Sequence, residues 1–434
     1  MRPYVRTMKY ILLFLPIVAT AQTPVTLEQA LQQAQANRLE LVNQQLQTQI
    51  TESDEARRRA LWQPQVTAGA DFRWNTQIQR NIIRGGFTGN GPDQVLRFGT
   101  PINNILNVQA EQKLYDAASR IDRAINRTNA EGQRATLDQL RIDVRQQVTE
   151  AYYLTVYNRE KIRLSERARD RAQAYLEQAQ TRSSAGTLLK TDLDRFALDL
   201  RNAELTLRND QRDYALSLDQ LRYRLNAPGP VAPADSLGTL FSQFQKAGYT
   251  PGQRVELRQE ELSRQVNLLN EQKERARLLP TVSAYGAYFA QQFAGTFNPF
   301  LAGTWFPYNY VGVRVAVPVY NGRQARLNRQ DFVRRAQINQ NTLQRLQNDF
   351  DYEAQSARNT LVQARETLEQ TRLNIAQAQG ILDVDKVRFG AGTLLQADFR
   401  NSEFSLQQAE NNYLRAVYDL LSGQLQLRKA LGQL

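Results

Sequence analysis

Residues 310–320 read YVGVRVAVPVY: Val311, Val313, Val315, Val317 and Val319 fall at every second position, and Arg314 falls on the opposite side. Alternation of period two marks a strand with one apolar and one polar face. QVTAGADFRWN (65–75) alternates in the same way, with Val66, Ala68, Ala70, Phe72 and Trp74 opposite Gln65, Thr67, Asp71, Arg73 and Asn75. NILNVQAEQKLY (104–115) sets Leu106, Val108, Ala110 and Leu114 against Asn107, Gln109, Glu111 and Lys113. TVSAYGAYFA (281–290) alternates less cleanly. The expected strands are therefore about 65–75, 104–115, 281–291 and 309–320. Each has about the 9–11 residues that a tilted membrane-crossing strand requires.

A soluble sheet with one buried face fits the same pattern. The membrane reading is favoured because the polar sides carry charge and the chain supplies no other apolar layer for the valines. Four strands cannot close a barrel, and an open edge cannot face lipid. Several subunits must then contribute four strands each, with Asp71, Arg73, Glu111, Lys113 and Arg314 lining the lumen.

Outward from the strands the chain reads as helix, rich in Ala, Gln, Arg and Leu. One helix is expected from about Thr26 to Ala60, stopping before Pro64. Long helices are expected from about Asp116 to Thr181 and from about Gly322 to Phe389. At the usual rise each reaches roughly 100 Å, so each must lie against other helices over most of its length. Both stop at the same pentapeptide, AGTLL, at 185–189 and again at 391–395. Gly186 and Gly392 suit the left-handed residue that ends a helix, and Thr187 and Thr393 suit the N-cap of the next. Thr393 with Gln396 reads as a capping box, and Asp192 and Asp398 lie near the first turn, where the helix dipole favours negative charge. These are the tips of two helical hairpins, about 182–192 and 388–398, whose outgoing helices return to about Asn226 and Leu431.

The pentapeptide belongs to a longer duplication. NRLEL (37–41) matches RVELR (254–258), and the interval from Glu40 to Pro64 equals that from Glu256 to Pro280. KLYDAASR (113–120) matches PVYNGRQAR (318–326), and the surplus of the first copy lies in RNIIRGGFTGNGPD (80–93), read as loop. The expected organisation is a signal peptide at 1–21, a first repeat at 22–226, a linker at 227–253 and a second repeat at 254–434. The signal rests on the basic Arg2, Arg6 and Lys9, the apolar YILLFLPIVA and the small-residue Ala19-Thr20-Ala21; the apolar run is short for a membrane anchor.

The 434 residues include no Cys and no His, which removes disulfides, thiol nucleophiles, Ser/His/Asp triads and the common zinc ligands. No cofactor or metal is expected. The formal charge of +12 is spread over helix faces where Arg alternates with Asp and Glu, so nucleic acid is not an expected partner. An exported enzyme using paired carboxylates is a rival, but the acids follow helix periodicity. A periplasmic coiled-coil scaffold or adaptor without a pore explains the helices and leaves the strands unexplained.

Taken together, RLEL/VELR, the Pro before each strand (WQP, LLP), KLYDAASR/PVYNGRQAR and the G-T-x-x-x-x-D tips resemble the TolC-type outer-membrane efflux protein family over essentially the whole mature chain. The resemblance implies a mainly α fold with a transmembrane β part. It implies a homotrimer with a twelve-stranded outer-membrane β-barrel continued by a periplasmic α-helical barrel. It implies a non-enzymatic exit duct for efflux or type I secretion in a Gram-negative bacterium. The partners it implies are outer-membrane lipid, a periplasmic membrane-fusion adaptor and an inner-membrane pump of the RND or ABC type. By position, Asp398 is the candidate for a carboxylate ring at the periplasmic entrance, with Asp192 its counterpart; Asn401 stands where the family has a second carboxylate. Phe389 and Leu394 occupy places where the family often has tethering Tyr or Arg, with Arg388 adjacent. Gly186, Thr187, Leu188, Leu189, Gly392, Thr393, Leu394 and Leu395 are the candidate adaptor contacts.

Overall fold

In the computed structural model the described residues are 23–84, 91–245, 252, 254–298, 300 and 303–434. The signal segment, the centre of the Gly-rich insertion and part of the linker lie outside them. In chain order the elements are β1 (Thr23–Val25), α1 (Leu27–Asn37), α2 (Leu39–Ala60), β2 (Gln65–Trp74), β3 (Arg80–Ile83), β4 (Gln94–Arg97), β5 (Ile102–Tyr115), α3 (Ala117–Ser184) and α4 (Lys190–Leu225). They continue with β6 (Val231–Pro233), α5 (Leu237–Gln245), α6 (Val255–Ala276), β7 (Thr281–Ala294), β8 (Trp305–Ala316), α7 (Gln324–Gly390) and α8 (Gln396–Ala430). The chain is mostly helical. It divides into two compact units: residues 1–43, 137–255 and 347–434, and residues 44–136 and 256–346.

The first unit is built from the helical hairpins. Its seam is written in heptads. On α3, Leu137, Val144, Ala151, Asn158 and Ser165 are all buried; on α8, Phe399, Leu406, Leu420 and Leu427 are buried, with Tyr413 packed between them. A seven-residue apolar repeat keeps one face of each helix turned to its neighbours, as in a left-handed coiled coil. Polar members of the seam are satisfied: the Asn158 amide donates to the Asp213 carbonyl at 3.3 Å, and the Ser165 hydroxyl donates to Asp210. The Arg of each RxEL motif has a defined task. Arg38 donates to the Arg224 carbonyl at the end of α4 and to Glu40; Arg254 donates to the Lys429 and Ala430 carbonyls at the end of α8 and lies 3.8 Å over the Phe350 ring. Each guanidinium thus satisfies carbonyls that a helix end leaves without partners. Arg38 itself sits in an extended conformation between α1 and α2, so the single helix expected over 26–60 is two.

A short parallel pair, Thr23↔Val231 to Val25↔Pro233, joins β1 to β6. Tyr152 clamps it: its hydroxyl donates to the Val25 carbonyl at 2.9 Å and contacts Asp235, whose carboxylate accepts from the Leu27 N–H at 2.8 Å. Neither strand was legible in the sequence.

The second unit holds a four-stranded antiparallel sheet in the order β2-β5-β7-β8. Its register (Ala68↔Val108, Val108↔Tyr288, Gly286↔Val311) carries the apolar faces of successive strands onto one side. Two expectations are corrected. The last strand spans 305–316 rather than 309–320, so Val317 and Val319 lie beyond it, beside Pro318, which has no N–H to give a ladder. The insertion read as loop opens with a strand, Arg80–Ile83, that pairs with Gln94–Arg97 just beyond its end. A bulge between Lys113 and Tyr115 shifts the pairing of β5 with β7 by one residue before its last pair, Tyr115↔Val282.

Candidate functional site

The two hairpin tips have the same geometry. Gly186 and Gly392 adopt φ of 71° and 73°, the left-handed conformation that closes a helix. The threonines do not cap the outgoing helices. Each Thr hydroxyl donates back, Thr187 to the Arg182 carbonyl and Thr393 to the Arg388 carbonyl, both at 3.0 Å. The N-caps of α4 and α8 are instead Leu189 and Leu395, extended and without side-chain capping bonds. Gln396 makes no capping box; its amide donates to the Asp192 carbonyl at 3.0 Å, joining one tip to the other.

That bond is one of several. Phe389 and Phe399 stack at 4.7 Å, Tyr175 meets Phe399 edge-on at 4.9 Å, and Leu188 and Leu394 pack against this cluster. Arg182 lies 4.9 Å over Phe389 and donates to the Phe389 and Gly390 carbonyls at 3.0 and 2.8 Å. Arg400 forms a two-pronged pair with Asp199, both contacts at 2.5 Å. Tyr175 donates to Glu403 at 2.5 Å, and burial and that carboxylate together push its phenol above the ordinary range. Sequence reasoning missed Arg182, Asp199, Arg400, Tyr175 and Glu403, because each gains its role from a residue on the other hairpin.

The sequence-named entrance residues separate. Asp192 is half-buried and paired with Arg195 at 3.1 Å, whereas Asp398 is exposed and its carboxylate has no partner among the described residues. Arg388 pairs with Asp385 at 3.6 Å, and Asn401 is exposed. Leu189 and Leu395 stand out at 70% and 73% exposure, although their neighbours Leu188 and Leu394 are packed away.

In the sheet, strand parity puts Asp71, Arg73, Glu111, Lys113 and Arg314 on one face, the side opposite the valines. Asp71 and Arg73 pair at 3.0 Å. On β7 and β8 this face is aromatic, which the sequence pattern does not disclose. Phe289 stacks on Tyr308 at 4.9 Å, Tyr285 meets Tyr310 at 6.0 Å, and Phe293 meets Phe306 at 6.1 Å. Arg314 lies 4.8 Å over the Tyr285 ring, which crosses the backbone at Gly312, where a Cβ would stand 2.8 Å from it. The opposite face is bare around the valines of β8: Val311, Val313 and Val315 are exposed, Val311 at 89%. It includes one polar pair, Asn104 donating to Gln292 at 2.8 Å, buried where Gln292 also donates to the Asn298 carbonyl and the Thr304 hydroxyl. No helix among the described residues is long and apolar enough to cross a membrane.

No protein-family model and no curated protein matches the chain. Solved structures do. The crystal structure of CusC, described with transmembrane channel formation, superposes with TM-score 0.78 at 14% identity over 94% of this chain and 93% of that one. The outer-membrane channel CmeC of Campylobacter jejuni gives 0.71 at 12%, covering 100% and 94%, and the open state of the Neisseria gonorrhoeae channel MtrE gives 0.70 at 15%, covering 100% and 96%. With the likeness extending over nearly the full length, this chain has the fold of the outer-membrane channels.

Proposed function

We propose that this chain is the outer-membrane exit duct of a tripartite efflux or type I secretion system in a Gram-negative bacterium. Three copies close their four-stranded sheets into a twelve-stranded barrel, and their hairpins continue it as a periplasmic helical tube. The observation that carries this reading is the sheet: a bare valine face on one side, charge and aromatics on the other, and two open edges, β2 and β8. Such a sheet is unstable in water on its valine side and unstable in lipid at its edges. Pairing β8 of one copy with β2 of the next removes both problems at once. The channel fold supports the same reading, and so does the crowding of rings on the charged side, as expected of a concave lumenal face. A scaffold without a pore leaves the valine face without a purpose.

The mechanism involves no catalysis. Residues 1–21 direct export, and two repeats, 22–226 and 254–434, joined by 227–253, each supply two strands and one hairpin. Asp398, exposed and unpaired, forms the entrance ring, where three carboxylates repel one another and attract cations. Leu189 and Leu395 are the apolar contacts offered to the periplasmic adaptor, which receives substrate from the inner-membrane pump. Arg182, Gln396 and the Arg400–Asp199 pair bind the two hairpins of one chain together, so opening moves them as a body.

Detergent-extracted protein should run as a trimer and conduct in a planar bilayer with preference for cations. Asp398→Ala should enlarge the currents or abolish the preference. A protein that is soluble without detergent and never conducts overturns the duct.

A further inference from the structure

The aromatic side of the sheet is more than a polar wall. Its rings form one continuous lane. Tyr285 touches Tyr310, Tyr310 lies 5.8 Å from Phe289, and Phe289 stacks on Tyr308. At one end the lane meets cations. Register places Ser283 between Lys113 on β5 and Arg314 on β8, all on the same face. Lys113 is ion-paired with Asp116 at 3.6 Å, whereas Arg314 has the Tyr285 ring and no carboxylate among the described residues. Glu111 flanks Tyr285 one row further along, so the positive charge is local to the end row. The distance from that row to the Tyr310 row is four residues of strand, about 13 Å.

We propose, resting on the duct reading, that this lane is a binding track for ring-bearing organic anions. The ring lies on Tyr285, Tyr310 and Phe289 while a carboxylate or sulfonate is held by Arg314 and Lys113. Charge complementarity selects the occupant: a neutral ring leaves the cationic row without a counter-charge, and an inorganic anion gains nothing from the rings. The occupant is a small soluble permeant. Weak, repeated binding along a wall favours entry without trapping the permeant, the condition for conduction.

The test uses purified full-length trimer in a planar bilayer, with naphthalene-2-sulfonate added. Current should fall in a concentration-dependent manner, and methanesulfonate, which keeps the head and lacks the ring, should leave it unchanged. Phe289→Ala with Tyr308→Ala should weaken the block about tenfold, a difference of about 1.4 kcal/mol. Arg314→Gln should weaken it several-fold and change any block by neutral 2-naphthol much less. Calorimetry in lipid nanodiscs makes the same comparison without needing current. Binding lost in both variants supports the track even if no channel opens. A conducting channel that the sulfonate does not block, or a block indifferent to both variants, overturns the track and leaves the duct standing. Should the double variant fail to assemble, Arg314→Gln alone decides.

Discussion

Leu188 and Leu189 are adjacent and identical, yet one packs against the cluster that holds Phe196 and Phe389 while the other is bare, and Leu394 and Leu395 repeat the division. The sequence marked all four as contacts. It could not separate them, because which Leu turns inward depends on the backbone just after the left-handed glycine. The same glycine made the threonines ambiguous: a Thr after it can serve the helix behind or the helix ahead, and both uses have the same spelling. Gly392 itself was legible. A Cβ there meets nothing within 4 Å, so Gly392→Ala should cost only the left-handed backbone penalty, about 1–2 kcal/mol, and Gly392→Asn less. Hydrogen exchange of the amides around residues 389–395 would reveal it, faster in the Ala variant; equal rates in both variants would contradict the backbone account.

Among the elements, the strands of the four-stranded sheet were legible to within a few residues except β8, whose valine run continues past its last hydrogen bond and so overstated its reach. The heptads of α3 and α8 were present in the sequence and went unread, because Asn158, Ser165 and Tyr413 interrupt the apolar run at seam positions. The two sides of β8 make opposite predictions. Val313→Arg should hinder insertion and assembly, by about 2–4 kcal/mol near the membrane centre, whereas Tyr310→Arg on the lane side should be tolerated. Heat-resistant trimer on a gel reports both, and equal damage would mean the faces are assigned wrongly. Helix α6 supplies a dependence on acid. Burial raises the Glu271 pKa, but hydrogen bonds from Arg275 and Arg329 outweigh it, and the carboxyl titrates below its ordinary value of 4.5. A lowered folded pKa gives stability that is present above the unfolded value and lost as pH falls through the folded one. Helix melting should therefore occur at lower temperature once pH drops below about 4.5, and Glu271→Gln should flatten that acid limb.

For the whole molecule, the requirement for partners could be argued from sequence alone, since four strands cannot close. Where partners meet the helices could not, because an apolar residue spelled into a helix does not say which neighbour it faces. On α7, Leu361, Leu368 and Leu382 are buried at heptad spacing within the chain, whereas Val362, Leu373 and Val384 form a second stripe left exposed. In the proposed trimer that stripe is the surface a neighbouring copy would cover. Leu373→Glu should lower the temperature at which the trimer dissociates in detergent and leave the helix content of each chain unchanged, as circular dichroism and light scattering would register. The clamp at β1 bears on time rather than on form. Among the described residues β1 has its strand partner at β6, some two hundred residues further along the chain. Until β6 and Asp235 are in place, Tyr152 cannot close over Val25, and β1, though early in the chain, is among the last elements to be secured as the protein folds.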